Sequence, residues 1–73
     1  MKRIKVESSN IVSVGYDVAD QILEVEFYKG TIYQYFNVPW DKVLKMMFGE
    51  SIGKYFMKNI VKIYESSKVA SNE

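Results

Sequence analysis

The stretch 31–40, TIYQYFNVPW, constrains the fold most, because the structural period of the chain changes within it. Residues 31–36 are β-branched or aromatic except for Gln34, which is typical of a strand. Pro39 ends that strand, since proline lacks the N–H that a β ladder needs and fits the first turn of a helix. The chain is therefore predicted to form strands before this point and helices after it.

The chain has 73 residues, which is enough for one small domain. A single core of this size provides a net stability on the order of 3–5 kcal/mol. There is no cysteine and no histidine, so a disulfide and a zinc site with the usual ligands are both excluded. The apolar residues, 48% of the chain, must therefore supply the core, and we expect no metal and no cofactor.

The sequence contains no membrane segment of the usual kind. No run of 18 apolar residues occurs, and the basic N-terminus is not followed by the apolar region of a signal peptide. The absence of cysteine is compatible with a reducing compartment. We therefore expect a cytoplasmic protein that does not contact a membrane.

Three strands are predicted, over residues 11–18, 22–28 and 31–36. Gly15 lies within the first strand and predicts either a bulge or a close contact with a helix. In the second strand, apolar residues alternate with Glu24 and Glu26, which are expected on an exposed face.

The turn at residues 28–30 sets the register of the second and third strands. A two-residue turn would direct Gln34 toward the core. A three-residue turn with a left-handed Gly30 would direct Tyr33 and Tyr35 there instead. Glutamine is a poor core residue, so we favour the second register. The structural core motif would then consist of Tyr33, Tyr35 and Pro39.

Two helices are predicted after the strands, over residues 39–48 and 52–64. The apolar stripe of the first helix consists of Trp40, Val43, Leu44, Met47 and Phe48. The stripe of the second helix consists of Ile52, Tyr55, Phe56, Ile60, Ile63 and Tyr64. Gly49 is expected to cap the end of the first helix, and Ser51 the start of the second.

These elements predict an α+β fold. It is a three-stranded antiparallel β-meander followed by two α-helices packed on one face (β-β-β-α-α), because hairpin connections require antiparallel pairing and a small sheet needs a cover. The single domain is expected over residues 8–64. A polar lead-in, residues 1–7, would precede it, with a short strand over residues 4–6 as an open alternative, and a frayed polar tail, residues 65–73, would follow.

Several short motifs occur in a fixed order along this predicted fold. They are Ser8-Ser9-x-Ile11, Val14-Gly15-Tyr16-Asp17, Leu23-x-Val25-x-Phe27, Gly30, Tyr33-x-Tyr35, Val38-Pro39, Ser51-x-Gly53-x-Tyr55-Phe56 and Ile60. In these residues the chain resembles the KTSC domain, which occurs at the C-terminus of some lysyl-tRNA synthetases and as a stand-alone bacterial protein. The resemblance implies a binding role, because RNA binding has been suggested for the family, and it supplies no catalytic residue.

Lysines recur along one side of the second predicted helix, at Lys54, Lys58 and Lys62. Lys42 and Lys45 on the first helix extend this positive surface. Lysines in such an arrangement contact phosphates and release counterions, although lysine is also a common residue on a solvated helix face. Our first hypothesis is a small, non-catalytic module that binds nucleic acid, most simply RNA, through these five lysines.

The start of the second helix also predicts an anion site, at Ser51, Gly53 and Lys54. Free backbone N–H groups, a glycine that permits close approach and a nearby lysine favour a bound anion. Helix capping by Ser51 explains the same residues without a ligand.

Catalysis is not expected, because neither histidine nor cysteine is present to activate a nucleophile. The alternative function is a module for protein interaction or homodimerisation. Its surface would be formed by apolar residues outside the predicted core, namely Ile32, Phe36, Met46, Met57 and Val61.

Overall fold

A computed structural model describes residues 2–70 and shows one antiparallel sheet with the order β1-β2-β3-β4-β5. The strands are β1 (Arg3–Lys5), β2 (Ile11–Asp17), β3 (Ile22–Phe27), β4 (Ile32–Tyr35) and β5 (Ser66–Ala70). The helices are α1 (Trp40–Phe48) and α2 (Ile52–Phe56), and α2 continues as a π-helical segment, Met57–Val61. No helix within residues 2–70 has the length and apolar character needed to cross a bilayer.

The α+β class, the antiparallel sheet and the two helices are confirmed, but the prediction of three strands is wrong. β1 forms within the polar lead-in, one residue earlier than the short strand suggested there, and β5 forms within the predicted frayed tail. Backbone hydrogen bonds fix both additions: Val6 N–H donates to Val12 O at 3.1 Å, and Phe36 N–H donates to Glu65 O at 2.9 Å. Residue 1 of the lead-in and residues 71–73 of the tail lie outside the described residues.

The register favoured by the three-residue turn is confirmed. Val25 lies opposite Tyr33 and Leu23 lies opposite Tyr35, which is buried. Gly30 adopts the expected left-handed conformation with φ of 83°, and Lys29 does so as well with φ of 82°.

The irregularity in β2 lies at Val12 and not at Gly15. Ile11 pairs with Phe27 while Ser13 pairs with Glu26, so Val12 is the additional residue of a bulge. The bulge changes the alternation of side chains, and as a result Ile11 and Val14 both reach the core.

The core lies between the sheet and the helices. It consists of Ile11, Val14, Leu23, Val25, Tyr35, Val38, Val43, Met46, Phe56 and Ile60. The ring of Phe56 meets the ring of Tyr35 edge to face, with centroids 5.2 Å apart. Pro39 is half-buried and immediately precedes α1.

The buried face of α1 differs from the predicted stripe. Val43 and Met46 are buried, whereas Trp40 is half-exposed and Phe48 is 84% exposed. Successive residues of an α-helix are about 100° apart, so a helix that faces the sheet through positions 43 and 46 turns position 48 toward solvent.

The second helix ends earlier than predicted. Its hydrogen bonding changes from α to π after Phe56, and the chain turns after Val61. The side-chain amide of Asn59 donates to Tyr55 O at 3.2 Å, across the point where the α-helical pattern gives way to the π-helical one. Because Ile63 lies in the turn, it is exposed and does not extend the apolar stripe as predicted.

Two glycines provide a matched test of the packing at the helix ends. A Cβ on Gly49 would lie 2.9 Å from the carbonyl oxygen of Lys45, whereas a Cβ on Gly53 would lie 3.5 Å from Ser8 Oγ, an ordinary contact. We expect Gly49→Ala to lower the free energy of unfolding by about 1–3 kcal/mol, as overpacking does. Gly53→Ala should instead raise it by about 0.4–1 kcal/mol.

Urea denaturation followed by circular dichroism measures both effects. An unchanged stability of Gly49→Ala, or a loss of equal size in Gly53→Ala, would contradict this description of the two helix ends.

Candidate nucleic-acid interface

The start of α2 lies against the loop that precedes β2. Ser51 is the N-cap of α2, and its Oγ accepts a hydrogen bond from Lys54 N–H at 3.3 Å. Ser8 Oγ accepts hydrogen bonds from the N–H groups of Asn10 and Ile11, at 3.3 Å and 3.4 Å, and so fixes the loop. The expected cap at Ser51 is confirmed, and two ordered segments meet at this point.

A groove of about 350 Å³ opens between these two segments. Its lining consists of Ser9, Asn10, Ser51, Gly53, Lys54, Met57 and Lys58, and we call it the lysine groove. Lys54 and Lys58 are exposed, and neither forms an ion pair with another residue among 2–70. The lining contains no carboxylate, so the groove presents positive charge and neutral polar groups.

The structure brings two of the five predicted lysines to this groove. Lys62 is exposed in the turn after the π-helical segment, Lys45 is exposed on α1, and Lys42 is half-buried on α1. None of these three lines the lysine groove. The π-helical segment ends at Val61, so Lys62 lies in the turn and not on the helix that carries Lys54 and Lys58.

The three residues of the predicted anion site, Ser51, Gly53 and Lys54, all line the lysine groove. Ser51 uses its Oγ, and Lys54 its N–H, in the capping hydrogen bond. Gly53 lies against the loop before β2, since a Cβ on it would be 3.5 Å from Ser8 Oγ and 3.9 Å from Asn10 Nδ2. The anion site stays a prediction.

A second groove of about 450 Å³ adjoins the lysine groove and shares Ser9 and Ser51 with it. This second groove contains Glu7 and Glu50. The charge of the surface therefore changes sign across the line from Ser9 to Ser51. A polyanion would be attracted to the lysine side of that line and repelled from the other.

The far face of the sheet carries a polar network that sequence reasoning missed. Arg3 forms an ion pair with Glu24, and its Nε lies 3.9 Å from Glu26 Oε1. Gln34 Nε2 donates to Glu24 Oε1 at 2.8 Å, and Ser13 Oγ donates to Glu26 Oε1 at 2.7 Å. The expectation that Glu24 is exposed is wrong, because β1 places Arg3 over it and leaves it 6% exposed.

This network could have been found from the register, because Gln34 lies directly opposite Glu24 once the three-residue turn is chosen. Burial alone would raise the pKa of Glu24. Hydrogen bonds from Gln34 and Arg3, together with the positive charge of Arg3, outweigh that effect and hold the pKa below its ordinary value.

The lowered pKa of Glu24 predicts a pH dependence of stability. The stabilisation is fully present above the unfolded-state pKa, about 4.3, and is lost as the pH falls through the lower folded-state pKa. We expect Glu24→Gln to reduce this acid-induced loss of stability below about pH 4.3.

Thermal melts recorded across that pH range measure the effect. Glu7→Gln removes an exposed carboxylate outside the network and serves as the control. The stability of this variant should depend on pH as that of the unaltered protein does. An identical pH dependence in Glu24→Gln and Glu7→Gln would show that the network does not stabilise the ionised carboxylate.

The apolar surface of the alternative function is also changed by the structure. Met46 is completely buried, so its assignment to an interaction surface is wrong. Ile32 and Phe36 are half-buried, and only Met57 and Val61 of the predicted set are exposed. Met46 is buried because α1 faces the sheet through positions 43 and 46.

These features define a small α+β domain in which a positive groove lies at the start of α2. The model of the KTSC domain matches residues 7–64, which is most of the chain. The chain therefore belongs to the KTSC domain family.

Two bacterial relatives are similar over most of their length. A protein of Stutzerimonas stutzeri, described as uncharacterized, is 45% identical over 56 residues, which cover 77% of this chain and 79% of the relative. A protein of Tsukamurella paurometabola is 44% identical over 57 residues, which cover 78% of this chain and 84% of the relative.

A solved structure shows the same fold. The crystal structure of a KTSC domain protein from Yersinia pestis superposes with a TM-score of 0.88 at 34% sequence identity. The match covers 94% of this chain and 97% of the other.

Proposed function

We propose that this KTSC domain is a non-catalytic nucleic-acid-binding module of the bacterial cytoplasm, and that its ligand is RNA. The lysine groove is the observation that carries the proposal, because Lys54 and Lys58 are exposed there without a carboxylate in the lining. Lysines that contact phosphates release counterions, and this release supplies most of the sequence-independent affinity. The hydroxyl of Ser9 and the amide of Asn10 add hydrogen-bonding groups of the kind that contact phosphate and sugar.

The lysine groove favours a single strand over a duplex. Met57 is 51% exposed within it and offers an apolar surface against which an unpaired base can pack. Sequence-dependent RNA recognition commonly targets unpaired bases, whose faces are free to pack on side chains. The choice of RNA over DNA draws on the resemblance to domains that accompany lysyl-tRNA synthetases.

The distribution of charge supports an approach of RNA from the side of the sheet that the helices cover. Glu24 and Glu26 lie on the far face of the sheet, where Arg3 already neutralises part of their charge. Glu7 and Glu50 border the lysine groove on one side only. A bound strand is therefore expected to leave the groove on the side away from those two carboxylates.

A charge-reversal variant tests this function. We expect replacement of Lys54, Lys58 and Lys62 by glutamate to weaken the binding of a mixed-sequence, fluorescein-labelled single-stranded RNA by roughly tenfold or more, since each lost phosphate contact removes counterion release. Fluorescence anisotropy measures the affinity. For the unaltered domain, log K should fall with log salt concentration with a slope of about −1.4 to −2.1, which is two or three contacts to a single strand.

The matched control carries the same change of net charge elsewhere, with glutamate at Lys2, Lys5 and Lys29. Circular dichroism verifies that both variants are folded. Equal losses in the two variants would contradict the assignment to the lysine groove, and an absence of RNA binding by the unaltered domain at low salt would contradict the function.

A module for protein interaction or homodimerisation is the second candidate. The exposed apolar side chains of Phe48, Met57 and Val61 favour it, since each offers apolar area to a partner. Light scattering on the purified domain is the direct measurement for self-association. Twice the monomer mass would support homodimerisation through these residues, and a monomer at every concentration would contradict it.

A further inference from the structure

The β1 edge of the sheet offers backbone groups to an additional strand. Within residues 2–70, β2 is the only strand that pairs with β1. Val6 N–H donates to Val12 O at 3.1 Å, so the backbone of Val6 faces β2. The direction of the backbone N–H and C=O groups alternates from one residue to the next along a strand. These groups of Arg3 and Lys5 therefore point away from the sheet. Unpaired groups of this kind are a template for an incoming strand.

An apolar groove opens beside this edge, on the side of the sheet that faces α1. Its lining consists of Lys2, Ile4, Val14, Gly15, Tyr16, Trp40, Val43 and Met47, and its volume is about 180 Å³. We call it the Trp40 groove. An apolar cavity of about 150 Å³ accepts benzene, so the Trp40 groove has the size of one aromatic side chain.

The wall of the Trp40 groove is held in place by the core. The rings of Trp40 and Tyr16 are in contact, with centroids 5.3 Å apart and planes inclined by 37°. The hydroxyl of Tyr16 donates to Val38 O at 2.6 Å, and Val38 is completely buried. Trp40 therefore presents about half of its surface from a fixed position and does not need to be ordered by a ligand.

The geometry of strand pairing links the edge to the groove. A residue opposite Ile4 on an added strand has its side chain on the same face as Ile4, which is the face of the Trp40 groove. Its two neighbours project to the other face, beside Arg3 and Lys5. Arg3 is already paired with Glu24, whereas Lys5 is exposed and forms no ion pair with another residue among 2–70. Lys5 and Lys2 make this edge complementary to acidic residues.

We propose that β1 binds an extended acidic peptide segment, which adds a strand to the sheet and inserts an aromatic side chain into the Trp40 groove. The partner has a simple signature, an aromatic residue next to glutamate or aspartate. This surface is separate from the lysine groove, so the inference does not depend on RNA binding.

A short synthetic peptide tests the proposal. The probe is the acetylated and amidated peptide Thr-Glu-Phe-Glu-Thr, and the comparison peptides carry alanine in place of phenylalanine or lysine in place of both glutamates. Trp40 is the single tryptophan of the chain, so its emission reports on the groove directly. We expect saturable binding of the probe, with a loss of roughly tenfold or more for each comparison peptide.

Two proline variants separate the edge from the rest of the surface. Lys5→Pro removes an N–H that points away from the sheet and leaves the ladder to β2 intact. Ser66→Pro makes the corresponding change on the other edge, because Glu65 O faces β4 and Ser66 therefore points outward. We expect Lys5→Pro to abolish binding of the probe and Ser66→Pro to leave it unchanged.

Lys5→Glu keeps an ordinary strand backbone, so it gives an answer even if Lys5→Pro does not fold. It should weaken binding of the acidic probe and strengthen binding of the lysine peptide. Unchanged binding in Lys5→Pro or Lys5→Glu, equal binding of the alanine peptide, or no saturation with any peptide would overturn the proposal. Displacement of the probe by single-stranded RNA would assign the Trp40 groove to base stacking and would also overturn it.

Discussion

The contact of Phe56 with the sheet is the interaction on which the rest of the structure depends. Phe56 is 2% exposed, and its ring lies 5.6 Å from that of Phe27 and 5.2 Å from that of Tyr35. The α-helical part of α2 has only five residues, which is too short to be stable without tertiary packing. Because Phe56 fixes the rotation of α2, it also directs Lys54 and Lys58 toward solvent, where they form the lysine groove.

The centre of the fold could be predicted from the sequence because its signals are local. Gly30 indicated a left-handed turn residue, and Gln34 made one of the two registers unfavourable, so the burial of Tyr35 followed. The outer strands could not be established in this way: a short strand at residues 4–6 was suggested but not added to the sheet, and β5 lies where a frayed tail was predicted. An edge strand such as β5 buries few apolar side chains, so its sequence has no alternation, and backbone hydrogen bonds to β4 hold it instead.

The candidate site was predictable only in part. The charge of Lys54 and Lys58 was visible in the sequence, but the contribution of Ser9 and Asn10 was not, since the loop before β2 meets α2 only in the folded chain. The lysine spacing was misleading beyond Lys58, because the helix was predicted to continue to residue 64 and instead ends at Val61, before Lys62. The sheet network around Glu24 was missed because the short strand suggested at residues 4–6 was left out of the predicted sheet, so the sequence did not place Arg3 over Glu24.

Nuclear magnetic resonance gives the most direct test of the central claim, that the lysine groove binds single-stranded RNA. The measurement is a titration of the ¹⁵N-labelled domain with unlabelled RNA, followed through the backbone amide shifts. The largest shifts are expected at residues of the groove, namely Ser9, Asn10, Ser51, Lys54, Met57 and Lys58. Shifts confined to the far face of the sheet around Glu24, or an unchanged spectrum at low salt, would contradict the claim.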